Sequence, residues 1–156
     1  MSYKENKAPL GEIAGLLPDA ERVNLFSFIE RTKTTPRWYA TNSFNVRYKN
    51  GIIYRFSISG DGYWQINLTL AKPSDLDETL LALPEDEREY FIRNLRRCRQ
   101  CNPKHGKGKR FVILGREHWG CAEPEVEVTN PSAGDIDMLC RYTEVRKQNI
   151  LRRLTA

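Results

Sequence analysis

The chain has 156 residues, and its composition and charge exclude several classes of protein. With 40% hydrophobic and 29% charged residues, it resembles a globular domain long enough to bury its own core. No segment approaches the roughly 18–20 apolar residues of a membrane-spanning helix, and the polar N-terminus lacks the long apolar stretch of a signal peptide. These features predict a cytoplasmic protein of bacterial type. In a cytosolic chain, four cysteines favour metal binding or reduced thiols over disulfides, and the net charge of +5 is compatible with a polyanion partner.

The first predicted element is a helix that follows an N-terminal arm. Residues 1–17 are expected to be a loosely attached arm, and residues 18–156 a single domain. Pro18 and Asp19 begin a helix that runs to about Arg31.

Three strands are predicted next, over residues 44–48, 52–58 and 64–70. Each alternates apolar and polar side chains, which is the pattern of a strand with one buried face. Asn50 and Gly51 tolerate positive φ and predict a type I′ turn between the first two strands. The pattern indicates an antiparallel meander with one apolar and one polar face.

The second half alternates predicted helices with short strands. A short helix begins near Ser74, a second covers Glu85–Arg97, and a last helix over 132–154 begins with an S-x-x-D capping signal. The strands between them cover residues 111–114 and 126–129. The predicted fold class is α+β, with a single antiparallel sheet of about five strands and about three main helices on one face.

The most specific chemical motif reads C-x2-C, then sixteen residues, then H-x2-C. Its members are Cys98, Cys101, His118 and Cys121. Two short ligand pairs separated by a strand are the spacing of a structural zinc site, since each pair can turn around one side of a tetrahedral ion. The segment 98–121 is therefore expected to form a zinc-ribbon-like corner, with zinc as the cofactor.

Other interpretations of these cysteines stay open. The C-x-x-C pair could be a redox dithiol or a pair of free thiols, although it follows the C-terminal end of a predicted helix, where the dipole does not lower a thiol pKa. The fourth ligand could be His105 or Cys140 instead of His118. A site with only three protein ligands would be a catalytic zinc.

A basic segment surrounds the first ligand pair. It contains eight cations and no acid: Arg93, Arg96, Arg97, Arg99, Lys104, Lys107, Lys109 and Arg110. Mobile cations of this kind bind phosphates with release of counterions, and Trp119 could stack on a base. The segment predicts a contact with nucleic acid or another polyanion, against the alternative of a solvated loop.

Two further functions are considered. A small-molecule pocket could lie between the sheet and the first helix, near Trp38, Tyr39 and Tyr63, and the polar face of the sheet could bind polar ligands. That polar face would present Asn45, Arg47, Arg55, Tyr63 and Gln65. An enzyme using open-site zinc or a reactive Cys98 is the third possibility, but no nucleophile–base motif assigns a catalytic residue, so the sequence leans towards a non-enzymatic binding domain.

Four stretches together resemble a known family. They are residues 44–58 (FNVRYKNGIIYRFSI), the turn from Cys98 to Cys101, residues 111–121 (FVILGREHWGC) and Thr129-Asn130-Pro131 before the last helix. In this order they resemble an uncharacterised family of small bacterial α+β proteins of unknown function. The resemblance implies an α+β fold with a Cys-x-x-Cys corner, and it implies no activity and no ligand.

Overall fold

The computed structural model describes residues 10–49, 51–68, 73–96, 101, 104, 106, 108–120 and 125–156. The helices are α1 (Leu10–Ala14), α2 (Asp19–Arg31), α3 (Pro73–Leu81), α4 (Glu85–Arg93) and α5 (Ala133–Thr155). The strands are β1 (Arg37–Ala40), β2 (Ser43–Tyr48), β3 (Gly51–Ile58), β4 (Trp64–Leu68), β5 (Lys109–Ile113), β6 (Arg116–Gly120) and β7 (Val126–Thr129). Within these residues, no helix is both long and apolar enough to cross a membrane.

The α+β class and the meander β2-β3-β4 are confirmed. The main sheet is antiparallel throughout and has the order β1-β2-β3-β4-β7. Strand β1 was not predicted, because four residues are too few to show a clear alternation. It forms by pairing with β2, where Arg37 lies opposite Asn45.

The prediction of a single sheet with three helices is wrong. Strands β5 and β6 pair only with each other and form a separate two-stranded sheet, and the described residues contain five helices. The helix predicted over 85–97 ends at Arg93, because the chain then runs alongside β7. Leu95 forms a bridge to Val126, and the backbone N–H of Arg96 donates to the carbonyl of Glu125 at 2.8 Å.

The apolar face of the main sheet forms the core. Phe44, Phe56, Ile66 and Val128 lie opposite one another in register on four adjacent strands. All four are at most 7% exposed, and burial of each such side chain contributes about 1.5–3 kcal/mol. The rings of Phe44 and Phe56 stack with centroids 5.1 Å apart.

Helix α2 covers this apolar face. The ring of Phe28 lies 4.9 Å from that of Tyr54, and both side chains are fully buried. The indole N–H of Trp64 donates to Glu21 at 3.1 Å. The predicted helix from Asp19 to Arg31 is therefore confirmed, and its buried face fills the space above β3 and β4.

The hairpin between β2 and β3 turns one residue earlier than the sequence predicts. Tyr48 pairs with Gly51, so Gly51 belongs to β3 and not, as the sequence predicts, to the turn. Lys49 has φ +53°, as a type I′ turn requires. The shift accompanies a bulge at Val46, where Ile53 is the extra residue of β3 and is 2% exposed. Burial of Ile53 thus sets a register that the turn residues alone do not.

Part of the expected N-terminal arm belongs to the core. Residues 10–17 include α1, and Ile13, Ala14 and Leu17 are at most 7% exposed. The apolar patch that looked like a loose segment has a partner surface that the sequence does not reveal. Residues 1–9 lie outside the described residues.

Helix α5 begins at the predicted capping signal. The Ser132 side chain accepts from the backbone N–H of Asp135 at 3.1 Å, and the Asp135 carboxylate accepts from the backbone N–H of Ser132 at 2.9 Å. This reciprocal capping box satisfies two N–H groups that a helix start otherwise leaves without partners.

Candidate metal corner and basic surfaces

The predicted zinc ligands are divided between described and undescribed residues. Cys101 and His118 are described, whereas Cys98, Cys121 and the alternative ligand His105 lie outside the part of the chain that the structure describes. The described residues contain no group of three or more metal-binding side chains. Within this corner, the structure therefore gives positions for Cys101 and His118.

Cys101 lies at the open end of the β5–β6 hairpin. A Cβ atom placed on Gly108 would be 2.7 Å from the Cβ of Cys101, 2.8 Å from its Sγ and 3.0 Å from the carbonyl oxygen of Gly120. Gly108 also has φ +92°, which only glycine adopts readily. The thiol thus packs where β5 begins and β6 ends, and Gly120 directly precedes Cys121 in the sequence.

His118 lies on β6, a strand that the sequence pattern did not predict. It pairs with Phe111 across the hairpin, and the two rings stack with centroids 6.1 Å apart. Because side chains alternate along a strand, His118 shares a face with Gly120, two residues or about 7 Å further along. His118 is thus the central residue of β6, two residues from the end at which Cys101 packs.

The hairpin is held on the body of the protein at its other end. Ile113 is fully buried, and the backbone N–H of Leu114 donates to the Asp77 carboxylate of α3 at 3.0 Å. Arg116 forms a two-pronged ion pair with Glu89 of α4, one contact of which is 3.1 Å. Hydrogen bonding to Arg116 lowers the pKa of Glu89. The closed end is thus fixed by ordinary packing and hydrogen bonds.

Cys140, the other alternative ligand, lies half-buried on α5. Burial raises the pKa of its thiol, while the nearby guanidinium of Arg31 opposes that shift. Arg31 in turn forms an ion pair with Asp137 at 2.7 Å. The thiol therefore lies next to the end of α2 in a setting that favours its protonated form.

Five cations of the basic segment are described: Arg93, Arg96, Lys104, Lys109 and Arg110. All five are exposed, whereas Arg97, Arg99 and Lys107 lie outside the described residues. Two of these five cations lie next to acidic side chains, a contact that the sequence did not predict. Arg110 pairs with Glu117 at 2.5 Å, and Arg96 lies 3.8 Å from Glu125. The charge of this segment is thus partly balanced.

Trp119 lies beside this pairing. It is the cross-strand partner of Arg110, and its indole N–H donates to Glu117 at 2.9 Å. Hydrogen bonds from Arg110 and Trp119 lower the pKa of Glu117. Arg110, Glu117 and Trp119 form a hydrogen-bonded group on the outward face of the hairpin.

The three aromatic residues predicted to line a pocket do not share one environment, and Trp38 and Tyr39 are consecutive on β1 and face opposite sides of the sheet. Trp38 is half-buried against the core, whereas Tyr39 and Tyr63 are 49% and 41% exposed. The space between α2 and the sheet is filled by Phe28 and Tyr54. Tyr39 instead borders a shallow depression of about 110 Å³ on the polar face of the sheet. The residues around it are Tyr39, Ser43, Arg55, Phe56, Ser57, Gln65 and Asn67.

The polar face has a continuous row of hydrogen-bonding side chains. Arg37, Asn45, Arg55, Asn67 and Glu127 lie opposite one another in register across all five strands of the main sheet. The guanidinium of Arg55 lies 5.4 Å from the centre of the Tyr39 ring. The Oδ1 atom of Asn45 and the Nε atom of Arg55 are buried and form no hydrogen bond within the described residues.

A second group of cations was missed in the sequence. Lys33, Arg37, Arg47 and Lys49 line an open pocket of about 360 Å³ together with Thr34, Thr35 and Tyr48; these seven residues are called the cationic pocket below. A signal was present, because residues 31–60 contain six cations and no acid. The cations are spread over three elements, so they do not form the dense run that marks residues 93–110.

The chain matches no protein-family model, no curated protein and no solved structure. The resemblance to an uncharacterised bacterial family therefore stays a prediction.

Proposed function

We propose that this protein is a non-enzymatic binding domain that contacts nucleic acid or another polyanion beside a structural, zinc-ribbon-like corner. The proposed ligands are Cys98, Cys101, His118 and Cys121. The observation that supports this proposal most directly is the position of Cys101, whose thiol packs against Gly108 and the carbonyl of Gly120. A tetrahedral site needs its two ligand pairs close together, and Cys101 packs near Gly120, which lies between the proposed ligands His118 and Cys121 in the sequence.

The difference between the two ends of the β5–β6 hairpin also supports a structural zinc ion at the open end. The closed end is held by Ile113 and by the bond from Leu114 to Asp77. The open end begins with Lys109, which is exposed and gains little from burial. A zinc ion bound by thiolates would stabilise this end, since metal-binding free energy adds directly to folding free energy.

The polyanion part rests on Arg93, Lys104 and Lys109, which are exposed and form no ion pair within the described residues. Trp119 lies on the same hairpin and presents a partly exposed ring beside Arg110. Arg110 beside this ring combines a cation with an aromatic surface, as in sites for single-stranded nucleic acid.

Metal analysis tests the proposed zinc site. Purified protein is expected to contain stoichiometric zinc, and Cys101→Ser is expected to lose it and to unfold at lower denaturant concentration. Cys140→Ser is the matched control and is expected to keep the metal. Full zinc content in Cys101→Ser would refute the proposed ligand set, and loss of zinc in Cys140→Ser would assign that thiol as a ligand.

A salt series tests the polyanion contact. Binding of single-stranded RNA and DNA is measured for the wild type and for the double variant Lys104→Gln/Lys109→Gln. Each lost phosphate contact should reduce the slope of log K against log salt by about 0.7, so the double variant should lose about 1.4. Arg22→Gln/Arg152→Gln removes the same charge elsewhere and should keep the slope. No binding at low salt, or equal slopes for both double variants, would contradict the proposal.

A small-molecule-binding role is a second candidate, and the depression at Tyr39 favours it. Asn45 and Arg55 present a buried acceptor and a buried donor without hydrogen-bond partners in the described residues, which is costly unless a ligand or water satisfies them. Ligand-detected NMR with a library of small polar compounds tests this role. Hits should disappear in Arg55→Leu, because Arg55 lines the depression, and persist in Lys109→Gln, and a screen without hits would remove the candidate.

A further inference from the structure

The cationic pocket combines three separate elements around one open space. Lys33, Thr34 and Thr35 follow the end of α2, Arg37 belongs to β1, and Arg47, Tyr48 and Lys49 lead into the turn after β2. No acid lines it. None of the four cations forms an ion pair within the described residues, in contrast to Arg110 with Glu117.

Like charges in this arrangement repel one another when nothing lies between them. Arg37 pairs with Asn45, and Arg47 lies two residues further along the same strand. Diagonal positions of this kind are close enough for long side chains to interact. The two guanidinium groups therefore share a region that an anion would stabilise.

The backbone of both lysines is unusual. Lys33 and Lys49 have φ +51° and +53°, a conformation in which glycine or asparagine is normally found. Lys33 stands where a helix commonly has glycine. Its N–H donates to the carbonyl of Glu30 at 3.0 Å, and that of Thr34 donates to Ile29 at 3.3 Å, the pairing of a Schellman motif. Two lysines in strained positions at one pocket suggest that their charge is needed there.

The dipole at the C-terminus of α2 explains only some of the four cations in the cationic pocket. Cations near the C-terminus of α2 complement its dipole, and Lys147 donates to the carbonyl of Thr32 for that reason. Arg37, Arg47 and Lys49 belong to the sheet and its turn, where the α2 dipole gives no such reason. A ligand explains all four lining cations together.

We propose that the cationic pocket binds a phosphate group of a phosphorylated ligand. Arg37 and Arg47 can each donate two parallel hydrogen bonds to phosphate oxygens, and the lysines supply further charge. The Thr34 hydroxyl, which belongs to the pocket lining, forms a hydrogen bond of 2.6 Å with the hydroxyl of Tyr54 on β3. This bond ties that part of the lining to the main sheet. The phosphate belongs either to a small molecule or to a nucleic-acid backbone, and the two sources are separated below.

Calorimetric titration with pyrophosphate and with a single-stranded oligonucleotide tests this proposal. The matched double variants Arg37→Gln/Arg47→Gln and Lys104→Gln/Lys109→Gln lose equal charge, one pair in this pocket and the other in the basic segment. Pyrophosphate affinity should fall at least about tenfold in the first variant and stay unchanged in the second. If only the oligonucleotide binds, and the first variant weakens it, the phosphate is that of a backbone.

Equal losses of affinity in both double variants would mean that binding depends only on overall charge and would overturn the proposal. The proposal would also be overturned if neither probe bound. Zinc content is measured alongside. Loss of oligonucleotide binding only in Lys104→Gln/Lys109→Gln would support the basic segment and leave this pocket without a ligand.

A second variant separates binding from folding. Lys33→Gly/Lys49→Gly removes two charges and relieves both strained positions, so Tm should rise by roughly 2–4 °C while phosphate affinity falls at least about tenfold. A more stable protein with unchanged affinity would refute the role of these lysines.

Discussion

Gly108→Ala tests the packing of Cys101 at the open end of the hairpin. The new Cβ would lie 2.7 Å from the Cβ of Cys101, closer than such contacts occur, and 3.0 Å from the carbonyl oxygen of Gly120, which is tighter than most such contacts. Neither neighbour is the far end of a flexible side chain, so the backbone must move. We therefore expect Cys101 to be displaced from β5 and β6.

The expected loss in the free energy of unfolding of Gly108→Ala has two contributions. A Cβ at positive φ costs about 1–2 kcal/mol, and Gly108 has φ +92°. Overpacking costs about 1–3 kcal/mol more. The free energy of unfolding should thus fall by about 2–5 kcal/mol. Gly106→Ala is the matched control, because Gly106 has φ +59° but nothing within 4 Å of its Cβ position, so only the first part applies.

Urea denaturation of both variants measures the difference, and zinc content is determined on the same samples. Gly108→Ala should lose about 1–3 kcal/mol more than Gly106→Ala and should bind zinc less well. Equal stability and equal zinc content would refute the inference that Cys101 must lie against Gly108.

Three further predictions concern the hairpin and helix α5. Ile113→Ala removes the fully buried side chain of β5 and should lower the free energy of unfolding by about 2–5 kcal/mol in urea denaturation; a loss below about 1 kcal/mol would mean that the hairpin does not share the core. The pKa of Glu117 is lowered by Arg110 and Trp119, so the pairing is complete above pH 4.5 and is lost as the pH falls through the lower, folded-state pKa. Trp119 fluorescence should therefore change with a midpoint below pH 4.5, and the same change in Glu117→Gln would contradict this assignment. Ser132→Ala removes the capping box and should cost about 0.5–2 kcal/mol by thermal unfolding; an unchanged Tm would show that α5 does not need this cap.

The candidate sites were predictable to different degrees. The spacing of Cys98, Cys101, His118 and Cys121 is a local signal, because tight ligand pairs need only a few residues between them. The pairing of Arg110 with Glu117 was not predictable without the register of β5 and β6, which places residues seven apart side by side.

The cationic pocket shows the same limit more clearly. Lys33, Arg37, Arg47 and Lys49 meet only because β1 pairs with β2 next to the end of α2. No local pattern encodes that approach.

Local patterns in the chain were sufficient for α2, for the meander β2-β3-β4 and for the cap of α5. In each case one face is buried or one terminal N–H needs a partner, and the residue pattern records that requirement directly. The three-dimensional fold decided the rest: the added strand β1, the separate β5–β6 sheet, the packing of α1 and the turn at Lys49. These features depend on contacts between distant segments, and their free energy comes from surfaces that exist only after the chain has folded.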